Sequence, residues 1–206
     1  MGPGSAPIRR DLACWDVDSR EPGSRPGQLV FRERVAVLVP QLEQLLQAAR
    51  ARGSVVVSTI CIRRELQAAD LPPDALYVDT EPAADDGELD RAAAASQNIV
   101  VHRESCGSSV QNIRHRAFDV FHANPNATRI VRAVGADRWV VFGDSLGYCL
   151  RSTVEGLLRH GQAVTVVKDV AGQGIDTPAR AREILAELER AGATLERADA
   201  VLARLG

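Results

Sequence analysis

Between Arg138 and Asp169 the chain reads RWVVFGDSLGYCLRSTVEGLLRHGQAVTVVKD, in which two short valine-rich runs enclose a stretch with helical spacing. Trp139 to Phe142 is apolar without alternation, as expected for a strand covered on both faces. Leu150, Val154, Leu157 and Leu158 then recur on one helical face until His160 and Gly161, a basic last turn and a glycine able to take the left-handed cap. Ala163 to Val167 is the next strand. A strand, a crossover helix and a second strand form the unit from which parallel sheets are built.

The pattern extends over the chain. Asp11 to Val17 reads as a first strand, and Val35, Leu38, Leu42, Leu45, Leu46 and Ala49 mark the apolar face of a helix closed by Gly53. Ser54 to Thr59 is a second strand. Glu65 to Gln97 is an alanine-, acid- and proline-rich excursion with a short helix at Leu89 to Ala95. Asn98 to His102 is a third strand, Asn124-Pro125 is expected to cap a helix that Gly135 ends, and Thr177-Pro178 opens another carrying Ala181, Ile184, Leu185 and Leu188. Ala193 to Leu195 is a short sixth strand. The expected fold class is therefore α/β, a Rossmann-like three-layer sandwich with a mostly parallel sheet. Its ligands should bind beyond the carboxyl ends of the strands.

Composition bounds the function. The 206 residues suit one domain, residues 1–8 being expected to form a flexible tail or a cloning scar, and a net charge of -2 offers no basic footprint for nucleic acid. No apolar run is long enough for a membrane span and no signal peptide is evident, so a cytoplasmic location is expected. Cys14, Cys61, Cys106 and Cys149 are irregularly spaced without a Cys-x-x-Cys pair, as in free thiols of a reducing compartment. Cys149 falls in the first turn of its helix, where backbone amides and the dipole favour a thiolate, so its pKa is expected to lie below those of Cys14 and Cys106. A buried cysteine that merely fills space is the alternative. Cys106, in ESCGSS, reads as a loop cysteine.

Phe142 to Leu146 spells FGDSL, the signature of the GDSL esterases with Ser145 as nucleophile, but it lies two thirds along the chain and no histidine follows His160. Taken from Cys149 outward, GDSLGYCLRSTVEGLLRHG instead resembles the cysteine signature of the isochorismatase-like hydrolases, in their nicotinamidase-like branch. Gly143 and Cys149 match, while Asp144, Ser145, Leu146 and Gly147 depart. DLACWDVDSREPG is similar to the family's first strand and its proton-transfer aspartate, which falls on Asp16; a turn aspartate is the competing reading, which Asp18 satisfies equally well. HRAFDVFHANPNATRIVRAVG resembles the segment that holds the catalytic lysine four residues before an aspartate-x-phenylalanine triplet, here Asp119 to Phe121. His115 takes the lysine's place.

The resemblance implies covalent acyl transfer on a carbon-nitrogen bond of a small amide-like substrate. Cys149 would attack, Asp16 would carry the proton, and the amides of Ser145 and Cys149 would hold the oxyanion, beside a cis peptide at Asp144-Ser145. A histidine titrates near ~6.5 whereas lysine stays charged. His115 could thus complete a Cys-His-Asp site, Arg114 or Arg116 could supply a fixed charge, or the protein could be a noncatalytic small-molecule-binding or assembly protein. Arg63 and Tyr148 are the expected substrate contacts. At the positions of the branch's metal ligands stand Cys61, Arg63 and Asp74, a set that does not suit zinc, so no metal and no cofactor are expected. The implied partners are a small-molecule substrate and further copies of the chain as a homo-oligomer, with neither nucleic acid nor membrane.

Overall fold

The computed structural model describes residues 7–62, 68–85, 87–104, 118–172 and 177–206. Its centre is a seven-stranded sheet in which each adjacent pair is parallel. In chain order the strands are β1 (Arg9–Val17), β4 (Ser54–Ile62), β5 (Ala75–Val78), β6 (Asn98–Glu104), β7 (Arg138–Gly143), β8 (Ala163–Ala171) and β9 (Thr194–Glu196), arranged β5-β6-β4-β1-β7-β8-β9. β2 (Arg20–Pro22) and β3 (Leu29–Phe31) form a separate antiparallel hairpin. Six of the sheet strands match the sequence pattern; β5 and the hairpin do not, because ALYV and REP are too short to carry a period.

Helices cover both faces. Helix α1 (Val39–Arg52), preceded by a 3-10 turn at Glu33–Leu38, and α7 (Ala198–Leu205) pack on one face through Leu42, Leu45, Leu46, Ala49, Val201 and Leu205. Against the other lie α2 (Glu88–Ala95), α3 (Val120–Ala123), α4 (Ala127–Val134), α5 (Arg151–Arg159) and α6 (Pro178–Arg190). The strand period of two divides β1 accordingly: Ala13, Trp15 and Val17 join the α5 side, whereas Leu12 and Cys14 join the α1 side. Ile8 already packs against this core. Among the described residues no helix is long and apolar enough to cross a membrane.

Gly53 and Gly135 end α1 and α4 at φ 84° and 58°, the left-handed caps their positions predict. Asn124 does not cap α4, which begins at Ala127. Its buried amide instead donates to the carbonyls of Val78, Asp79 and His102, joining β5 to β6, while its Oδ1 accepts from the Asn126 amide. The Asp119–Phe121 triplet is likewise structural: Asp119 caps α3 by accepting from the Phe121 amide, and Phe121 lies 5.6 Å from the Trp15 ring. A Cβ on Gly156 would sit 2.2 Å from the Phe121 ring, so this mid-helix glycine is the space into which Phe121 fits.

Candidate active site

The carboxyl ends of β1, β7 and β8 are laced together by the backbone that leads to Cys149. Asp144 donates its amide to Val17 O at 2.7 Å, Gly172 to Gly143 O at 2.7 Å, and Leu146 to Gly172 O at 2.7 Å. Gly143 has φ 118°, and a Cβ there would lie 2.3 Å from Val17 O, so the approach of β7 to β1 requires glycine. The Asp144-Ser145 peptide is cis. Leu146 to Leu150 then form one wide turn, with the Leu150 amide donating to Ser145 O, before α5 continues. Thr153 Oγ1 ties this turn down by donating to Cys149 O at 2.8 Å.

Cys149 is 7% exposed and faces the α5-side core. Arg103 donates through Nη2 to Cys149 Sγ at 3.1 Å and to Asp18 Oδ2 at 2.6 Å. All three side chains are buried. Arg103 reaches the site because it continues the alternation of Ile99 and Val101 along β6, all three buried on one face. Asp18 arrives differently. Strict alternation after Val17 would send it to the side of Asp16, but it adopts φ 48°, the left-handed conformation that aspartate tolerates better than most side chains, and the chain turns its carboxylate towards Arg103.

The expected pairing of Asp16 with Cys149 is not what the geometry gives. Asp16 sits on the α1 face, where its carboxylate accepts from Ser19 Oγ and from Arg20 Nε at 2.8 Å, with Arg20 Nη2 continuing to Ser58 Oγ at 2.5 Å. His115, Arg63 and Cys106 lie outside the described residues. Ser145 is half-buried, immediately before the turn, and Tyr148 stacks on Phe118 at 5.0 Å. Those two rings, with Arg151, Glu155 and Arg180, line a cavity of about 430 Å³ beside the turn.

Electrostatics reverses one expectation. The Cys149 thiol is pushed up, chiefly by burial and then by the charge and hydrogen bonding of Asp18, with Arg103 opposing. A helix amino terminus lowers a thiol pKa only where the group is not also desolvated beside a carboxylate. Cys14, buried near Asp16, is pushed up to about 12. For Arg103, burial favours the neutral form, but Asp18, Cys149 and Cys61 together outweigh it and raise its pKa. Asp144 is raised to about 6 by burial, with Arg34 opposing and Asp18 adding; Arg34 pairs with it directly.

Of the residues at the branch's metal-ligand positions, Arg63 lies outside the described residues, and Cys61 and Asp74 do not converge. Asp74 precedes the pairing of Ala75 with Asn98, whereas Cys61 pairs with Arg103, roughly 16 Å farther along the parallel strands. Asp74 accepts from Asn98 Nδ2 at 2.5 Å. No cluster of three histidine, cysteine or acidic side chains suited to a metal occurs among the described residues.

Sequence reasoning passed over Arg103 and gave Asp18 only the part of a turn residue. The available signal was a charge at the carboxyl end of a strand whose other same-face residues are apolar, since such a charge is either paired or lining a site.

Solved structures share the fold at low identity. A pyrazinamidase of Pyrococcus horikoshii in complex with zinc is 15% identical, with a TM-score of 0.58, over 91% of this chain and 99% of its own. A cysteine hydrolase from Pseudomonas syringae pv. phaseolicola is 16% identical, with a TM-score of 0.60, over 100% and 98%. The YcaC gene product of Escherichia coli, described as an octameric hydrolase of unknown specificity, is 16% identical, with a TM-score of 0.54, over 98% and 83%. A comparison with curated protein sequences gives no match. The isochorismatase domain model matches residues 28–199, most of the chain, from the start of β3 to the first residues of α7, and the chain therefore belongs to the isochorismatase family.

Proposed function

We propose that the chain is a cysteine hydrolase that cleaves a carbon-nitrogen bond of a small amide-like substrate through a thioester on Cys149, without a metal. The observation that carries this reading is the single guanidinium nitrogen of Arg103 shared between Asp18 and Cys149. In the resting site the sulfur keeps its proton. As Sγ bonds to the amide carbon, Asp18 takes that proton and becomes neutral, the negative charge passes to the carbonyl oxygen, and Arg103 stabilises the thiolate character that sulfur develops on the way. The backbone amides of Ser145 and Cys149 are the proposed donors to the tetrahedral oxyanion.

Breaking the carbon-nitrogen bond then draws the proton from Asp18 to the leaving nitrogen, giving an amine or ammonia and a thioester. Water adds to the thioester as Asp18 removes its proton, and expulsion of the sulfur with return of that proton releases the carboxylic acid. Arginine does not shuttle protons at ordinary pH, so proton transfer rests on Asp18 while Arg103 holds charge and position. His115, four residues before Asp119, has no part in this scheme.

Tyr148 and the cavity beside it are the proposed entry for the substrate body. The octameric relative supports a homo-oligomeric assembly, and Cys14 and Cys149 as thiols rather than disulfides support a cytoplasmic setting. The test is ammonia or amine release from a panel of small amides, with Cys149→Ala as background. Turnover lost in Cys149→Ala and in Asp18→Asn supports the mechanism. Native turnover equal to background across the panel favours the noncatalytic binding protein, a reading to which His115 at the family's lysine position lends weight.

A further inference from the structure

On the α1 face, beyond the edge of that helix, the described residues that cover β4, β6 and β5 are those of the β2–β3 hairpin and the segment around Pro72. Between them lies a cavity of about 390 Å³, a volume typical of small-ligand sites. Its walls are apolar at Leu29, Val56, Ile99 and Val100. Its polar groups are Arg20, Arg50, Ser58, Asn98 and Asp74.

The two arginines are not equivalent. Arg20 is 8% exposed, donates Nε to Asp16 and Nη2 to Ser58, and has no bond from Nη1 among the described residues. Among the described residues Arg50, on the last turn of α1, donates only Nε, to Asn98 Oδ1 at 3.4 Å, and neither Nη nitrogen has a partner there. The pKa of Arg50 is lowered, first by burial and then by the charge of Arg20, and the opposing pull of Asp74 and Asp16 does not restore it. Both guanidiniums line the cavity, so a carboxylate set between them would meet two charged donors.

We propose that this cavity is a binding site for a small organic monocarboxylate, separate from the Cys149 cluster, with the carboxylate between Arg20 Nη1 and the Arg50 guanidinium and its apolar body on Leu29, Val56 and Val100. A monoanion fits better than a phosphate dianion, because Asp74 on the rim opposes a second charge and the apolar walls offer nothing to further oxygens. The proposal does not rest on the hydrolase reading.

The test is calorimetric titration of benzoate into the full chain at constant ionic strength. We expect saturable 1:1 binding that weakens at least tenfold in Arg50→Gln, tightens in Asp74→Asn and is unchanged in Cys149→Ala. Arg50 and Asp74 are exposed, so both variants should keep the native melting profile. A crystal soaked in 4-bromobenzoate should place bromine against Val56 and Val100. No saturable binding, equal affinity in Arg50→Gln, loss in Cys149→Ala, or bromine elsewhere would each overturn the site.

Discussion

Two buried aspartate-arginine pairs, their aspartates two residues apart at the carboxyl end of β1, point to opposite faces of the sheet. Asp16 with Arg20 and Ser58 closes the α1 side, and Asp18 with Arg103 and Cys149 closes the α5 side. Both carboxylates are almost wholly buried and each meets a guanidinium at hydrogen-bond distance. Only the second pair is bonded to the proposed nucleophile, Cys149. Strand parity alone would have put both carboxylates on one face; the left-handed Asp18 separates them. Chemistry on this strand is thus assigned by one backbone torsion rather than by the nearest match to a motif.

The largest expected effect concerns turnover. Removing a general base costs about a hundred- to ten-thousand-fold in rate, so Asp18→Asn should lose that much kcat on any amide that is turned over, while Asp16→Asn keeps kcat within tenfold. Equal losses in both variants, with both folded by circular dichroism, would break the distinction.

Stability should then show what the pairs have in common. Arg103→Met and Arg20→Met each leave a buried carboxylate without its cation, a change that costs about 3–5 kcal/mol. Urea unfolding should find both variants destabilised to a similar degree, with turnover lost only in Arg103→Met. A clearly smaller cost at Arg20 would mean that water or Ser58 compensates Asp16 and that the two clusters are unlike even as structural units.

A smaller effect belongs to Asp144, beside the α5-side cluster. Its folded pKa of about 6 lies above the ordinary aspartate value of 3.8, so the folded state holds this proton more tightly than the unfolded chain. The associated stability is present below pH 3.8 and is lost as pH rises through about 6, by at most roughly 3 kcal/mol. Asp144→Asn should flatten stability across that window and raise the melting temperature at pH 7 but not at pH 4. Identical profiles for native protein and variant would show that Arg34 holds the carboxylate at its ordinary value.

Much of this fold is legible in the sequence because its elements are long enough to show a period. Trp139 to Phe142 and the Leu150, Val154, Leu157 face define the unit around Cys149 before any coordinate is known. β5 and the hairpin are hidden because three or four residues show no period, and α7, with Ala198, Val201 and Leu205 buried, is only eight residues long. The site is less legible. Cys149 follows from its strand-to-helix junction and the family resemblance. Arg103 meets it only through sheet pairings that bring residues 46 apart in the chain together. Asp18 depends on a torsion no pattern encodes. The acidity of Cys149 was misjudged because a helix terminus is local and visible in sequence, whereas burial beside Asp18 is neither.

The direct test of the central claim, that Asp18 and not Asp16 is the carboxylate coupled to the nucleophile, needs no substrate. Iodoacetamide labelling of Cys149, followed by peptide mass spectrometry from pH 6 to 10, reports the fraction of thiolate. Because Asp18 raises the Cys149 thiol, Asp18→Asn should move its labelling profile to lower pH, while Asp16→Asn leaves it in place. A profile that shifts with Asp16→Asn and not with Asp18→Asn would contradict the account.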